Sequence, residues 1–468
     1  MLRRLAQLLL LASLAPAGSA AFAQSGGAQF ELGMQGAVVA QAWNPLRLVL
    51  RDLPPVELEV VFDQGTLRSG PILTTYTASV AASRGVRVFE DELFVPDWRS
   101  IAWTVRSPDR TVASGTLNPR QRDSRPLTLL VSSVPGSWLP SLPDDARPHE
   151  MAASALPSSA AAYAGVHALL IDGTAAAPSV ESVAAAAGAG VVVLLTEPLP
   201  ATHSDLAELV EAGPLRLGAG WLVPVRSEQV GQALTSFAGF PVASLAGELA
   251  AAHPQELPPV LSRITITAAG ALYALLVLVL LRFGGDAGLP AALVVAILAA
   301  GAGWSLLRPE RPLLEESRAV VVAAGGLGVS LDTLALRSLP GGTVQLGRPM
   351  RLLGRSSFAV GTLGTRLPMA RWQRAILTGR PVLATGSLGW EGELLVNRGE
   401  RALTGVLVVG VGPQLPLAPD EERRAVPAEE GWLPESYTSL LSYLPEGTAL
   451  ASDGRRVLVA LPPFGGEL

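Results

Sequence analysis

The chain has 468 residues and a formal net charge of -5, so it offers no basic field for a phosphate backbone and nucleic acid is not an expected partner. It contains no cysteine, which excludes disulfides, thiolate nucleophiles and cysteine metal sites. All 35 basic residues are arginine, and a GC-rich genome explains this better than a functional avoidance of lysine. The length favours about three folded units.

The N-terminus has the three-part pattern of a secretory signal peptide. Arg3 and Arg4 precede an apolar stretch over residues 5–15, and small residues then lead to Ala21 and Ala23. This pattern predicts a signal peptide over residues 1–23 with cleavage after Ala23. An uncleaved anchor helix is the alternative.

Residues 24–124 read as short strands separated by turn residues. Apolar and polar positions alternate at intervals near ten residues, in the runs 46–50, 57–62, 76–80 and 101–105. This spacing predicts an antiparallel β-sandwich domain.

In residues 125–250 the apolar residues no longer alternate with polar ones. They form continuous runs at 127–131, 167–171 and 190–196, and an alanine-rich helix is predicted at 179–187. Strands that are apolar on both faces and alternate with helices predict a parallel sheet in an α/β domain. A ligand of such a sheet lies at the carboxyl ends of its strands. Asp172 and Glu197 are the carboxylates predicted there and are the candidate ligand-binding residues, with helix capping or solvation as the alternative role.

A linker over 251–263 leads to two uncharged apolar runs, 264–281 and 289–307, joined by a short polar turn. Each run is close to the length that crosses a bilayer as a helix. The sequence therefore predicts a transmembrane hairpin over 264–307. With the signal peptide, this places a two-pass protein in a bacterial cytoplasmic membrane, with its N-terminal and C-terminal domains extracytoplasmic.

Small residues recur at four-residue intervals in the two runs, a spacing that lets helix backbones approach closely in lipid. The predicted helix-packing residues are Gly270, Ala274, Ala292, Ala296 and Ala300. The two helices are expected to pack on each other, and a helix of another protein is the alternative partner.

Residues 308–468 return to short apolar runs between glycine-rich turns and predict a C-terminal β-rich domain with a charged linker near 416–434. No catalytic residue, metal site or cofactor is predicted. His149 and Glu150 near Asp144 lack a fixed ligand spacing, and Thr385–Gly389 lacks the glycine and the histidine of a serine nucleophile site.

The stretch from Tyr163 to Asp172, together with the order of the predicted domains, resembles bacterial membrane proteins that carry a class I glutamine-amidotransferase-like domain. That family uses a cysteine nucleophile after a central strand. This chain has no cysteine, so the resemblance implies a degenerate domain in which the fold is reused without the glutaminase reaction.

The predicted fold class is a multidomain membrane protein with a β-sandwich, an α/β parallel-sheet domain, a transmembrane two-helix hairpin and a C-terminal β-rich domain. We expect a membrane-anchored extracytoplasmic envelope protein that acts as a non-enzymatic scaffold or partner-binding module. Its expected partners are the lipid bilayer and another envelope or membrane protein. The alternative function is an extracytoplasmic enzyme or ligand sensor that uses the crevice of the α/β domain.

Overall fold

The computed structural model describes the following residues: 21–25, 28–51, 57–63, 73–79, 87–95, 100–118, 125, 127–197, 208, 213–242, 245, 263–307, 313–338, 342–346, 350–352, 359–360, 365–369, 374–426 and 438–463. The predicted signal peptide lies outside them except for residues 21–23, which belong to the first strand.

The described residues of the N-terminal part form eight strands: β1 (Ala21–Ser25), β2 (Ala28–Leu32), β3 (Ala42–Leu50), β4 (Glu57–Asp63), β5 (Leu73–Ser79), β6 (Arg87–Val95), β7 (Ile101–Arg106) and β8 (Thr111–Leu117). They form two four-stranded antiparallel sheets, ordered β1-β2-β3-β6 and β5-β4-β7-β8. Side chains alternate between buried and exposed along β7, because successive residues of a strand face opposite sides.

The two sheets share one core, in which Phe30 from the first sheet contacts Phe62 and Trp103 from the second. The ring centroids of Phe30 and Trp103 lie 4.1 Å apart, and Phe30 meets Phe62 edge-on at 5.5 Å. Aromatic contacts of this kind contribute beyond simple burial of area.

The second part contains β9 (Leu127–Val131), β10 (Arg147–Glu150), β11 (Val166–Ile171), β12 (Val192–Thr196), β13 (Leu215–Leu217) and β14 (Gly220–Val225), with helices α1 (Val180–Gly188) and α2 (Val230–Ser236). The strands form one sheet in the order β10-β9-β11-β12-β14-β13, and only the β13–β14 pair is antiparallel. Every residue of β9 and β12 is buried, because both faces of the sheet are covered. Ser179 caps α1 by accepting a hydrogen bond from the Ser182 backbone N–H.

The helices α3 (Arg263–Phe283) and α4 (Gly288–Leu307) pack against each other, and Gly285 in the turn between them has a φ of 51°. Within the described part of the chain, no helix is both long and apolar enough to cross a membrane. A crossing needs about 20 apolar residues.

This finding overturns two predictions. The spans predicted at 264–281 and 289–307 are wrong, and the fold class that included a transmembrane hairpin is therefore also wrong. The two-pass location in a bacterial cytoplasmic membrane is wrong for the same reason. What the structure describes is mostly sheet, arranged in several separate β-sheets.

In the C-terminal part, the residues that the structure describes form the short helix α5 (Thr438–Leu441) and fifteen strands: β15 (Leu313–Ala324), β16 (Leu327–Ser338), β17 (Gly342–Leu346), β18 (Met350–Leu352), β19 (Ala359–Val360), β20 (Thr365–Met369), β21 (Arg374–Gly379), β22 (Val382–Thr385), β23 (Leu388–Glu391), β24 (Leu394–Asn397), β25 (Thr404–Val408), β26 (Gly412–Pro413), β27 (Glu422–Arg424), β28 (Ala449–Ser452) and β29 (Arg456–Ala460). The largest sheet runs β19-β18-β21-β16-β15-β29-β28-β25-β26, with β22 also paired to β16. Strands β17 and β20 form a pair, and β23, β24 and β27 form a three-stranded sheet. Strand β27 lies inside the segment predicted as a charged linker.

The three parts are held together by shared contacts. Phe240 and Ala219 of the α/β part belong to one apolar cluster with Val320 of the C-terminal sheet. The Gly218 N–H donates to the Ala324 carbonyl at 3.0 Å, and the Arg147 guanidinium donates to the Val38 carbonyl at 3.1 Å. These contacts link the α/β part to both of its neighbours in the chain.

Candidate functional site

Asp172 follows β11 at the carboxyl edge of the parallel sheet, where the apolar run predicted it. Its N–H continues the ladder by donating to the Val131 carbonyl at 2.8 Å. Its carboxylate accepts from the Ser132 hydroxyl at 3.1 Å, from the Trp138 indole N–H at 3.4 Å and from the Thr174 backbone N–H at 2.9 Å. The carboxylate is therefore occupied by groups of its own domain.

These contacts set the protonation state of Asp172. Burial acts to raise the pKa of the carboxyl, but the hydrogen bonds from Thr174, Ser132 and Trp138 outweigh it, and the pKa lies below its ordinary value. Asp172 is an ionised hydrogen-bond acceptor at neutral pH and has no proton to donate to a substrate.

The neighbouring strand ends are tied to the same cluster. The Thr196 hydroxyl accepts from the Gly173 N–H at 2.9 Å, and the hydroxyls of Ser133 and Thr174 lie 2.7 Å apart. Contacts with Asp172, Gly173 and Thr174 thus bring Ser132, Ser133 and Thr196 together at this edge. The resulting network joins the loops after β9 and β11 to the last residue of β12.

Glu197 follows β12 but does not join this network. Its N–H donates to the Val225 carbonyl at 2.9 Å, and its exposed carboxylate lies 4.0 Å from the guanidinium of Arg226. Among the residues that the structure describes, no hydrogen bond or ion pair links Glu197 to Asp172. The two predicted ligand-binding residues lie on one sheet edge without forming a shared site.

The loop before β10, together with β10, contains the residues that were considered as metal ligands in the sequence. The Glu150 carboxylate accepts from the Gly136 N–H, and burial lowers the pKa of His149. Over the described ranges, no group of three or more His, Asp or Glu side chains is placed to hold a metal ion. Glu150 is therefore engaged by the loop that follows β9.

The predicted helix-packing residues have different surroundings. Ala292 is buried and Ala296 half-buried in α4, whereas Gly270 and Ala274 are exposed in α3. A Cβ atom added to Gly270 would meet nothing within 4 Å. The side chain of Ala300 lies outside the described residues.

A larger feature lies between the N-terminal sandwich and the α/β part, where a cleft of about 900 Å³ is open to solvent. We call it the interdomain cleft. One wall comes from β2, β3 and β6, the opposite wall from the loop 154–159 and the start of α1, and Arg380 of the C-terminal part completes it. Its volume falls in the range of ~300–1,000 Å³ that is usual for small-ligand sites.

An ion-pair cluster lies in the wall of the interdomain cleft. The Arg380 guanidinium donates to Asp91 Oδ1 at 2.6 Å and also to the Glu92 carboxylate. The Glu92 N–H donates to Asp91 Oδ1 at 2.9 Å. The side chains of Asp91 and Glu92 are only 5% and 8% exposed, so both carboxylates are held away from bulk water.

Burial dominates the titration of Glu92. It raises the pKa of the Glu92 carboxyl above its ordinary value, although Arg380 and Ser159 act in the opposite direction. For Arg380, burial acts to lower the pKa, but Glu92 and Asp91 more than compensate and the pKa is raised. Arg380 therefore stays charged, and its guanidinium group is shared by both carboxylates.

Other charged groups line the same cleft. The Arg47 guanidinium lies 3.5 Å from the Glu90 carboxylate, and burial raises the pKa of Glu31 despite the nearby Arg47. Sequence reasoning did not identify this site, although the acidic run Glu90-Asp91-Glu92 between the apolar residues of β6 was a visible signal.

Comparison with known proteins adds no family assignment. No protein-family model and no curated protein matches the chain. One similar solved structure is Bacteroides uniformis beta-glucuronidase 2 covalently bound to cyclophellitol-6-carboxylate aziridine, with 9% identity and a TM-score of 0.13. The match covers 87% of this chain and 66% of that one. A TM-score this low carries no argument about fold or activity.

Proposed function

We propose that the protein is a non-enzymatic partner-binding module whose binding site is the interdomain cleft. The observation that carries this proposal is the composition of the cleft walls, which come from all three parts of the chain and meet at Arg380. Small-ligand sites are concave and largely preformed, and they often lie at the interface between domains.

The polar edge of the parallel sheet supports an enzyme less well. Asp172 and Ser132 are 3.1 Å apart, as a carboxylate and a hydroxyl would be in a catalytic pair. However, a nucleophilic serine needs a base that can take its proton, and the lowered pKa of Asp172 makes it a poor one. The network therefore fits a structural role, in which it joins the ends of three neighbouring strands. The amidotransferase-like origin of this domain stays a prediction.

Affinity capture with the purified full chain tests the proposal. Ser158 is exposed on the cleft wall, so Ser158→Trp should fill part of the opening without disturbing a buried contact. We expect partners captured by the wild-type chain to be lost with this variant.

Ser227→Trp is the matched control, because Ser227 is equally exposed in the turn before α2 and does not line the cleft. Its capture profile should match that of the wild-type chain. If Ser158→Trp retains every partner while both variants stay folded by circular dichroism, the cleft is not the binding site.

A further inference from the structure

The exposed apolar side chains of this protein are concentrated on the hairpin formed by α3 and α4. Among the described residues, 21 large apolar side chains are exposed, and twelve of them lie within 272–297. Their exposed fractions run from 38% for Tyr273 to 81% for Phe283. Single apolar residues scattered over a surface are normal, whereas a cluster of this kind on two packed helices marks an interaction surface. We call these twelve residues the hairpin patch.

The hairpin offers little that a polar partner can bind. The sequence has no charged residue from Ile264 to Leu281 or from Gly288 to Leu307. A polar surface placed against the hairpin patch would lose its hydration and gain no hydrogen bonds in return. The partner must therefore be apolar and uncharged as well, and a second copy of this chain presents such a surface in its own hairpin.

The area of the hairpin patch suits a dimer. At the usual conversion between transfer free energy and area, a leucine or valine side chain has about 60–120 Å² of apolar surface to bury. On average more than half of this surface is exposed in the hairpin patch, so the twelve side chains together present about 400–800 Å². A standard interface buries about 800 Å² of each partner. Pairing of two hairpins therefore supplies much of the area that a stable dimer needs.

One side of α3 is complementary to itself in the antiparallel direction. Ala268, Ala271, Leu275 and Leu278 follow one another at intervals of three and four residues, so they lie on the same side of the helix, and all four are exposed. The two alanines come first along the helix and the two leucines last. When two such helices pack antiparallel about a two-fold axis midway between Ala271 and Leu275, each leucine lies opposite an alanine. A two-fold interface needs this kind of self-complementarity.

We infer that the protein forms a two-fold dimer through the hairpin patch, with the two α3 helices packed antiparallel. In this dimer Ala268 lies opposite the partner's Leu278, and Ala271 lies opposite the partner's Leu275. The inference is independent of the interdomain cleft, because no described residue of the cleft lining belongs to the hairpin.

Sedimentation velocity of the full chain in detergent-free buffer tests the dimer. The wild-type chain should sediment with twice the chain mass of 48.5 kDa over a range of concentrations. Leu275→Glu should weaken the dimer by at least about tenfold, because each copy then buries an unpaired carboxylate. Leu415→Glu is the matched control, since Leu415 is exposed to nearly the same extent, 58% against 61% for Leu275, and lies outside the hairpin. The dimer of this control should persist.

The absence of cysteine from the chain allows a disulfide test of the helix direction. Chains that carry Ala268→Cys are mixed with chains that carry Leu278→Cys, and on oxidation the mixture should form mixed disulfide dimers. Ala268→Cys alone should not cross-link to itself. In the antiparallel pair the two copies of position 268 lie about 15 Å apart along the helix axes, which is beyond the reach of a disulfide.

A monomeric wild-type chain, an assembly larger than a dimer, or a Leu275→Glu variant that stays as dimeric as Leu415→Glu would overturn the inference. Self-cross-linking of Ala268→Cys would also overturn it, because it indicates parallel helices. A wild-type chain that is monomeric but floats with phosphatidylcholine vesicles would show that lipid, and not a second copy, covers the hairpin patch. If Leu275→Glu fails to fold, as judged by circular dichroism, the cysteine experiment still decides the question.

Discussion

Arg380 and Asp91 lie 289 positions apart in the chain and form an ion pair of 2.6 Å that joins the C-terminal part to the N-terminal sandwich. Glu92 shares the same guanidinium group. Both carboxylates are almost fully buried. Removing their cation should therefore lower the free energy of unfolding by more than the loss of an exposed ion pair would.

Replacing Arg380 by Met should destabilise the protein by about 3–5 kcal/mol, since it leaves two buried carboxylates without their cation. Urea unfolding followed by fluorescence measures the change. Arg398→Met is the control, because Arg398 pairs with Glu391 where both side chains are well exposed, and its loss should cost about 1 kcal/mol or less. Equal effects of the two substitutions would contradict the structural role given to the buried pair.

The raised pKa of Glu92 predicts a pH dependence of stability. The unfolded carboxyl titrates near its ordinary value of 4.5 and the folded one at a higher pH, so the folded state binds more protons between the two values. Stability should therefore fall as the pH rises from about 4.5 through the folded pKa. Glu31 has a raised pKa as well and adds to the same slope.

Glu92→Gln should flatten this slope, and the flattening should be seen in urea unfolding measured at a series of pH values. Glu31→Gln removes the second contribution and tests whether the two are separate. A slope that is unchanged in Glu92→Gln would show that the carboxyl of Glu92 does not titrate in this range.

Asp172→Asn should destabilise the α/β part by about 1.5–3 kcal/mol, the usual contribution of hydrogen bonds to a charged group. The pKa of Asp172 is lowered from 3.8, so its stabilising effect is present above that pH and is lost as the pH falls through the folded value. Wild type and variant should therefore converge in strong acid. Glu197→Gln, at an exposed position on the same sheet edge, should change stability by less than about 0.5 kcal/mol.

Gly115→Ala should destabilise the sandwich by about 1–3 kcal/mol, because its new Cβ would lie 2.7 Å from a ring atom of the buried Trp103. Near-ultraviolet circular dichroism should report the displaced indole, and thermal unfolding the lost stability. Gly270→Ala makes the same chemical change in an exposed helix with open space around it, and should stabilise by up to about 1 kcal/mol. Destabilisation by both would point to a cause other than crowding of Trp103.

The sequence alone determined much of the local structure. The alternation at 101–105 predicts a strand, and the structure has β7 there. The apolar runs at 127–131 and 167–171 lie in neighbouring parallel strands, and Asp172 lies at the predicted edge. These features depend on the periodicity of nearby residues, which is visible in any short window of sequence.

Tertiary structure decided the rest. Hydropathy alone predicted membrane spans in α3 and α4. Among the described residues, however, no helix is long and apolar enough to be such a span. Glu197 follows its strand as expected but pairs with Arg226 and does not contact Asp172. The meeting of Asp91 with Arg380 has no local signal, because it depends on how distant sheets pack and on which charges are then buried together. The attraction within such a pair depends on low-dielectric surroundings that no single segment has before the chain folds, and it must repay the hydration that both charges lose.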